Sequence, residues 1–529
     1  MYRISGLRLT PDGTEADLKI EAAKKLGVRP RDIRSLKLYR KSVDARRKSD
    51  VHFVCTVEAD CPNVPAPPGR NAAQAEPYRY RLPPSRPLDP RPAVVGFGPA
   101  GMFAALILAQ AGQRPVVFER GSRVEERRKQ VERFRRTGAL NPECNVQFGE
   151  GGAGAFSDGK LNTGTKDPRA RKVLEDFAAA GAPAEILILA KPHIGTDLLP
   201  GVVRNIRSRI LALGGEIRFD TRVTGLKIRD GRVEGLEFQP PGSSAPDRLE
   251  TRSVVLAAGH SARDTFGMLL SLGLPLEPKP FSVGARIEHP QRLIDAAQYG
   301  SFAGRPALGA ADYRLAVHLR DGRGVYTFCM CPGGTVVAAA SEEGRLVTNG
   351  MSVFARSGVN ANSALLVGVG PADFGADGPL AGVEFQRRLE ENAFRLGGGG
   401  YRAPAQRVGD FLERRPSSAF GDVAPTYPLG VTPCSLDGCL PAFAADAMRE
   451  GIRLMDRRLR GFADPDAVLT AVESRSSSPV RLLRGEDLQC LAARGLYPCG
   501  EGAGYSGGIV SSAVDGIRCA EAILRSSLT

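Results

Sequence analysis

With 529 residues, 42% of them hydrophobic and 25% charged, the chain is too long for one core and too apolar to be disordered. Two or three globular domains are expected. The formal net charge is +14, yet the arginines are spread along the whole length. That favours an anionic cofactor or substrate, and it permits weak attraction to nucleic acid or membranes without demonstrating either. Ten cysteines and five histidines show no metal-ligand spacing. No signal-like stretch follows Met1, and no apolar run is long enough to span a bilayer. The expectation is a cytoplasmic protein with reduced thiols and no metal.

Residues 1–60 read as a small β-α-β-β module. Positions 2–9 are strand-like, 14–26 form an amphipathic helix opened by Thr14 with Asp17 three residues on, and Gly27 ends it. Residues 33–39 and 51–58 alternate polar and apolar. Between them lie Arg40, Lys41, Arg46, Arg47 and Lys48. A nucleic-acid or partner site is one reading of these. A solvated connection is favoured, because no aromatic stacking platform accompanies them. Residues 61–90 carry prolines at 62, 65, 67, 68, 77, 83, 84, 87 and 90. Proline fixes φ and lacks a donor, so this stretch reads as a semi-extended linker.

An apolar run at 93–95 then meets Gly96-Phe-Gly98-Pro99-Ala100-Gly101 and passes into an Ala/Leu-rich helix, followed by a second apolar strand ending in Glu119. Gly96 allows the tight turn, Gly98 lets the backbone approach a pyrophosphate, and Gly101 lets helix and strand pack closely. The pyrophosphate would rest on the helix N-terminus, and Glu119 is spaced to meet a ribose hydroxyl. This is a dinucleotide-binding pattern. Residues 122–136 read as a charged helix whose arginines are mostly surface pairs. The glycine-rich stretch 145–161 leaves little side chain to pack, so it is expected to turn sharply or lie against a ligand ring.

A helix over 197–213 leads to short strands at 216–219, 222–229 and 232–238, the last two joined by Asp230-Gly231. The apolar strand at 253–257 ends in Ala258-Gly259-His260-Ser261, as a parallel-sheet strand does where it meets a ligand. From Phe281 the pattern alternates, at 282–288, 314–319, 325–331 and 335–340, which reads as antiparallel sheet, the last two strands joined through Pro332-Gly-Gly334. Cys329 and Cys331 fall on one face of one strand, too far apart for an unstrained disulfide, and buried structural thiols are favoured over a redox pair. Residues 366–375 imitate a second nucleotide turn, but Asp373 replaces the third glycine and no apolar helix follows. No separate NAD(P)H domain is therefore expected. The hydroxyl- and Arg-rich stretch 473–481 reads equally as an active-site wall or a polar crossover. At the end, a strand, the turn Gly500-Glu501-Gly502-Ala-Gly504, Gly507-Gly508-Ile509 and an apolar helix stand together, so the helix start is placed to stabilise negative charge on a bound ring.

Three of these pieces, 96–119, 254–259 and 500–510, resemble the two-dinucleotide-domain flavoproteins of the glutathione-reductase-like superfamily. More narrowly the chain resembles an uncharacterised bacterial family of FAD-dependent dehydrogenases, or NAD(P)/FAD-dependent oxidoreductases. The resemblance rests on 148–160, Gly284-Ala-Arg286-Ile-Glu-His289, Phe328-Cys-Met-Cys-Pro-Gly-Gly334, 341–344 and 500–505. It implies an α/β fold: a Rossmann-like FAD-binding domain with a parallel sheet, an inserted antiparallel substrate domain, and a small ferredoxin-like α+β domain. The boundaries expected are 1–60 for that small domain, 61–90 for the linker, 91–280 and 485–529 for FAD binding, and 281–484 for the substrate domain. It implies FAD as cofactor, with Glu501 holding the ribityl chain where relatives more often carry Asp.

The expected FAD contacts are Gly96, Gly98, Pro99, Ala100, Gly101, Glu119, Arg120, Gly151, Gly152, Ser157, Lys160, Val223, Ala258, Gly259, Gly500, Glu501, Gly508 and Ile509. Arg286, His289, Arg475 and Arg481 are candidate binders of an anionic or carbonyl substrate group, and no catalytic acid or base is identified. The expected activity is transfer of hydride or electrons between FAD and a small molecule, with an unidentified electron donor or acceptor. Two alternatives stand: a lipid- or isoprenoid-saturating reductase with an external donor, and an RNA- or partner-binding flavoprotein without turnover. Nucleic acid is not favoured as a partner.

Overall fold

The computed structural model describes residues 1–62, 64 and 71–528. The prolines expected at 65, 67 and 68 lie outside the described residues. Three bodies of sheet organise the chain. In the first, strands Ser35–Asp44, His52–Asp60, Tyr2–Leu9 and Ala72–Gln74 lie side by side in that order, all antiparallel. Helix Glu15–Leu26 crosses them and opens at Thr14, whose N–H donates to the Asp17 carboxylate at 2.8 Å. The last of these strands corrects the linker expectation, since residues 72–74 pair with Tyr2, Arg3 and Ile4. Beyond it the chain is strapped down by polar contacts: Tyr80 donates to Glu521, the Arg86 N–H to Ser527 and the Leu88 N–H to Gln113.

The second body is a parallel sheet in the order Leu496–Pro498, Val254–Leu256, Ala93–Val95, Val116–Phe118, Glu216–Arg218. Its core strands are buried on both faces, which is why they read as unbroken apolar runs. Helix Pro99–Gln110, from the first glycine turn, packs across the C-terminal helix Ile509–Ser526. Gly516 makes that crossing possible, since a Cβ there would stand 2.0 Å from the Ala100 carbonyl oxygen. Beside the sheet, Arg222–Arg229, Arg232–Gln239 and Asp247–Glu250 form a meander. Asp230 (φ 50°) and Gly231 (φ 69°) make its first turn.

The third body, inserted in the chain between strands Val254–Leu256 and Leu496–Pro498, has seven strands: Ala316–His318, Gly324–Cys331, Asn360–Val369, Phe281–Pro290, Val468–Glu473, Ala403–Arg407 and Val431–Pro433. All pair antiparallel except the last two. Residues 366–369, the imitation nucleotide turn, are the end of a central strand here. The hairpin expected through Pro332 does not form. Thr335–Ala338 pairs with Thr348–Met351 in a separate ribbon, because Gly333 (φ 50°) turns the chain against the Arg356 carbonyl, where a Cβ would stand at 1.9 Å. Among the described residues no helix is long and apolar enough to cross a membrane.

Candidate functional site

The two glycine turns meet at one end of the parallel sheet. At the first, Gly96 has φ 93°, and a Cβ would fall 2.4 Å from the Ala257 carbonyl oxygen. A Cβ on Gly101 would sit 1.9 Å from the Gly96 oxygen, so this glycine serves the contact between helix and strand. Gly98 differs. Its added Cβ would meet only the Gly152 Cα, at 3.7 Å, an ordinary contact that leaves open space in front of the helix start. Glu119 closes the far side of the turn. Its carboxylate accepts the N–H groups of Phe97 (2.8 Å), Gly121 (3.0 Å) and Gly149 (2.9 Å), binding turn, second strand and glycine-rich loop into one unit.

That loop is organised by a residue the sequence reading passed over. Arg127 lies on helix Val124–Thr137, fully buried, and its guanidinium donates to the carbonyls of Asn145 (2.9 Å), Val146 (3.0 Å), Gly149 (3.2 Å), Glu150 (2.6 Å) and Gly152 (2.9 Å). Arg128, Arg133 and Arg136 of this helix are exposed as expected, and Arg127 is the exception. Val124, Arg127, Val131 and Phe134 share its buried face, so an arginine stands where helical spacing calls for an apolar residue. That spacing was the available signal. Burial pulls the Arg127 guanidinium down to about 10, against the pull of Glu119 and Glu150. Gly149 (φ 120°) must be glycine, since a Cβ would stand 2.4 Å from the Arg127 Cδ.

At the second turn, the Gly500 N–H donates to Asp515 (2.8 Å), which Arg484 grips with two donors at 2.7 and 2.9 Å. This anchors the strand end to the C-terminal helix. Gly508 (φ 101°) precedes that helix, and Glu501 lies beside it; burial pushes the Glu501 carboxyl up to about 7, opposed by Lys279 and the Gly508 N–H.

A cavity of about 940 Å³ runs from the first turn to the second, with the strand Gly324–Cys331 of the seven-stranded sheet as a further wall. Gly96, Gly98, Pro99, Ala100, Glu119, Arg120, Gly152, Ser157, Lys160, Val223, Ala258, Gly259, Glu501, Gly508 and Ile509 line it. Three expected contacts sit behind the lining. Gly101 packs on Gly96, Gly151 on Val203, and Gly500 on Ala100. Arg120 is held by Glu143 and Asp264 and stacks 4.2 Å over the Phe148 ring.

Of the four substrate candidates, only Arg475 reaches the cavity. Each of its nitrogens is already engaged: Nε and Nη2 donate to Glu390 (2.9 and 2.8 Å) and Nη1 to Ser341 (2.6 Å). Arg286 is fully buried in an ion pair with Glu473 and also donates to Asn349, Asn362 and the Cys329 carbonyl. His289 is fully buried, with Nε2 2.9 Å from the Phe462 carbonyl, and Arg481 leans toward the Tyr505 ring. For Arg286 and His289 the reason is that strand Phe281–Pro290 is central and covered on both faces, so alternation carries no information about which side meets a ligand.

The cavity instead presents groups that were not substrate candidates. Lys160 reaches Asp158 at 2.7 Å, and Asp158 also binds Arg356 at 2.6 Å. Burial works to raise the Asp158 carboxyl, but the two cations outweigh it and hold it below the usual range. His260, at the end of strand Val254–Leu256, is pushed down to about 3 by burial and by Arg475 and Arg263, so it stays neutral. Cys329 faces the cavity and is not the buried structural thiol expected. A bulge between Phe328 and Cys331, with Cys329 in the left-handed region (φ 44°), breaks the same-face relation assumed for a regular strand.

Residues 280–476 match the family described as FAD-dependent protein, C-terminal domain-like, and residues 1–60 match a domain of unknown function (DUF8436). An uncharacterized protein of Clostridium beijerinckii is 47% identical over 529 residues, covering 99% of this chain and 98% of that one. Among solved structures, a variant of Escherichia coli quinol fumarate reductase FrdA is similar at TM-score 0.39 and 14% identity, over 83% of this chain and 70% of that one. A flavoprotein/dehydrogenase from Cytophaga hutchinsonii is similar at TM-score 0.36 and 11% identity, over 82% and 76%. Scores at this level carry no argument about the reaction.

The cofactor is FAD, and the residues present fit it: a side-chain-free approach at Gly98 in front of one helix start, an acid at Glu119, and a second helix start behind Gly508 open on the same cavity. The chain thus belongs to one family with the uncharacterized Clostridium beijerinckii protein, and its residues 280–476 match a FAD-dependent protein C-terminal domain.

Proposed function

We propose that the protein is a FAD-dependent oxidoreductase that passes hydride or electrons between the flavin and a small molecule held against the antiparallel sheet. The observation that carries this reading is the single cavity bounded by both helix starts and by strand Gly324–Cys331. A dinucleotide running from Gly98 to Gly508 leaves its ring beside that strand, and room for a second molecule between them. Bound FAD supplies a two-electron centre at the flavin ring.

The chain's residues bind and orient it. The N–H groups at the start of helix Pro99–Gln110 take the pyrophosphate. Glu119 has accepting capacity left for a ribose hydroxyl, and Glu501 meets the ribityl chain. The start of helix Ile509–Ser526 stabilises negative charge on the ring. Lys160, whose residue lines the cavity, replaces Arg286, His289 and Arg481 as the binder of an anionic or carbonyl group. Residues 91–280 and 485–529 then act as the FAD-binding domain of a glutathione-reductase-like architecture, 281–484 as the substrate domain, and 1–60 as a ferredoxin-like module. That module docks through the Lys41 N–H to the Ile188 carbonyl and through the Lys48 ammonium to Gln298, and Arg40, Arg46 and Arg47 are exposed, which supports the solvated reading of that basic stretch.

The test is spectroscopic. Purified protein should be yellow, bleach anaerobically with dithionite and be reoxidised by a component of a metabolite pool. Colourless protein that takes up no added FAD would sink the reading.

A further inference from the structure

Cys329 and Cys331 stand in the cavity wall beside the place assigned to the flavin ring. Three features separate them from packing residues. Cys329 is exposed to the cavity although it belongs to a strand of an otherwise closed sheet. The strand bulges at this point: Phe328 opposes Ala364 and Cys331 opposes Asn362, so three steps on one strand face two on the other, and Cys329 takes a left-handed conformation that a non-glycine residue rarely adopts. The Lys160 Nζ lies 3.8 Å from the Cys331 sulfur, which places a cation beside the pair. Cys331 in turn donates to the Cys329 carbonyl (3.2 Å), which also accepts from Arg286 (2.9 Å), so the second thiol is folded back over the first residue.

In a regular strand the two sulfurs would be held apart by the fixed spacing of alternate positions. The bulge adds slack there, and rotation of the Cys331 side chain off the Cys329 carbonyl turns its sulfur toward its neighbour.

We infer that Cys329 and Cys331 are a redox-active dithiol, and that the substrate class of this site is a disulfide or its dithiol. The inference rests on the proposed oxidoreductase reading. When a disulfide RSSR enters the cavity, one cysteine sulfur bonds to one RS group and the other leaves as RSH. The second cysteine displaces the remaining RS group as RSH, and an S–S bond between Cys329 and Cys331 is left. That bond breaks when the pair takes two electrons and two protons from reduced FAD, which restores both thiols. The sum is one disulfide reduced to two thiols for each FADH2 oxidised to FAD.

The test uses the holoprotein. All ten cysteines are free in the reduced state. After mild oxidation with diamide, denaturation and alkylation, eight thiols should be counted. The fragment between Arg323 and Arg345, which holds Cys329 and Cys331 and no other cysteine, should carry the missing pair as an internal disulfide. Anaerobic dithionite titration of the oxidised protein should then take up four electrons per flavin, against two in Cys329→Ser and Cys331→Ser proteins that retain their yellow colour.

A count that stays at ten overturns the inference. So does loss of the fully buried thiols of Cys499 and Cys519, which lie within 4.8 Å of one another, in place of this pair. Uptake of two electrons after diamide also overturns it while leaving the flavin reading intact. Absence of flavin bleaching refutes the parent reading.

Discussion

Arg127→Met removes the guanidinium that holds the glycine-rich loop. Five carbonyls lose this donor; Gly149 and Gly152 still accept the N–H groups of Gly152 and Ala155, whereas those of the buried residues Asn145, Val146 and Glu150 are left unpaired. An unpaired buried acceptor costs about 1–3 kcal/mol, so the lower end over three groups gives about 3 kcal/mol. Methionine fills much of the volume, which confines the effect to the lost donors and the lost counter-charge for Glu119 and Glu150. Because the loop forms one wall of the cofactor cavity, that energy falls on cofactor binding. At 1.4 kcal/mol per tenfold, FAD affinity should weaken by roughly a hundredfold. Arg127→Lys keeps the charge and has three donors for these three acceptors, so its loss should be smaller than that of Arg127→Met. The assay is fluorescence titration of FAD into flavin-free protein, with thermal unfolding in parallel. Wild-type affinity and unfolding temperature in Arg127→Met would refute the reasoning, because they would show that the loop holds its shape without the guanidinium.

The glycines of the first turn separate binding from folding. Gly98→Val should abolish FAD binding with little change in unfolding temperature, since its Cβ meets nothing closer than 3.7 Å, whereas Gly101→Ala should lower both; circular-dichroism melts and the bound-flavin spectrum read the two effects. Glu390→Gln removes the carboxylate shared by Arg263, Arg475 and Ser474 in the buried network and should cost about 3–5 kcal/mol by urea unfolding. The Glu501 carboxyl sits at about 7 in the folded protein, above the ordinary value near 4.3 of an unfolded chain. The folded state therefore binds the extra proton between those values, so its contribution is full at acidic pH and lost as pH rises toward 7. Flavin-free Glu501→Gln protein should show a flatter unfolding profile between about pH 4.5 and 7, and an unchanged slope would contradict the assignment.

The sequence made the cofactor half of the site legible because nucleotide turns use backbone geometry that only glycine allows. Gly96 and Gly101 are fixed by contacts of 2.4 and 1.9 Å that any Cβ would violate, so the pattern has to be spelled out in the chain. The substrate half was not legible. Arg286 and His289 lie on a central strand buried on both faces, where polar residues serve the sheet and its neighbours. Cys329 turns toward the cavity through a bulge whose left-handed residue is not a glycine, so nothing in the local composition announces it. Arg127 was readable in principle from its place on an apolar helical face, but it was hidden among the surrounding charges of 125–129.

The measurement that bears most directly on the account is a crystal structure of the protein with FAD. The account predicts the pyrophosphate within hydrogen-bonding distance of the N–H groups that follow Gly98, and the flavin ring edge against Gly508 and Ile509 with one face toward strand Gly324–Cys331. FAD bound in the reverse sense, or outside the cavity shared by the two helix starts, would contradict it.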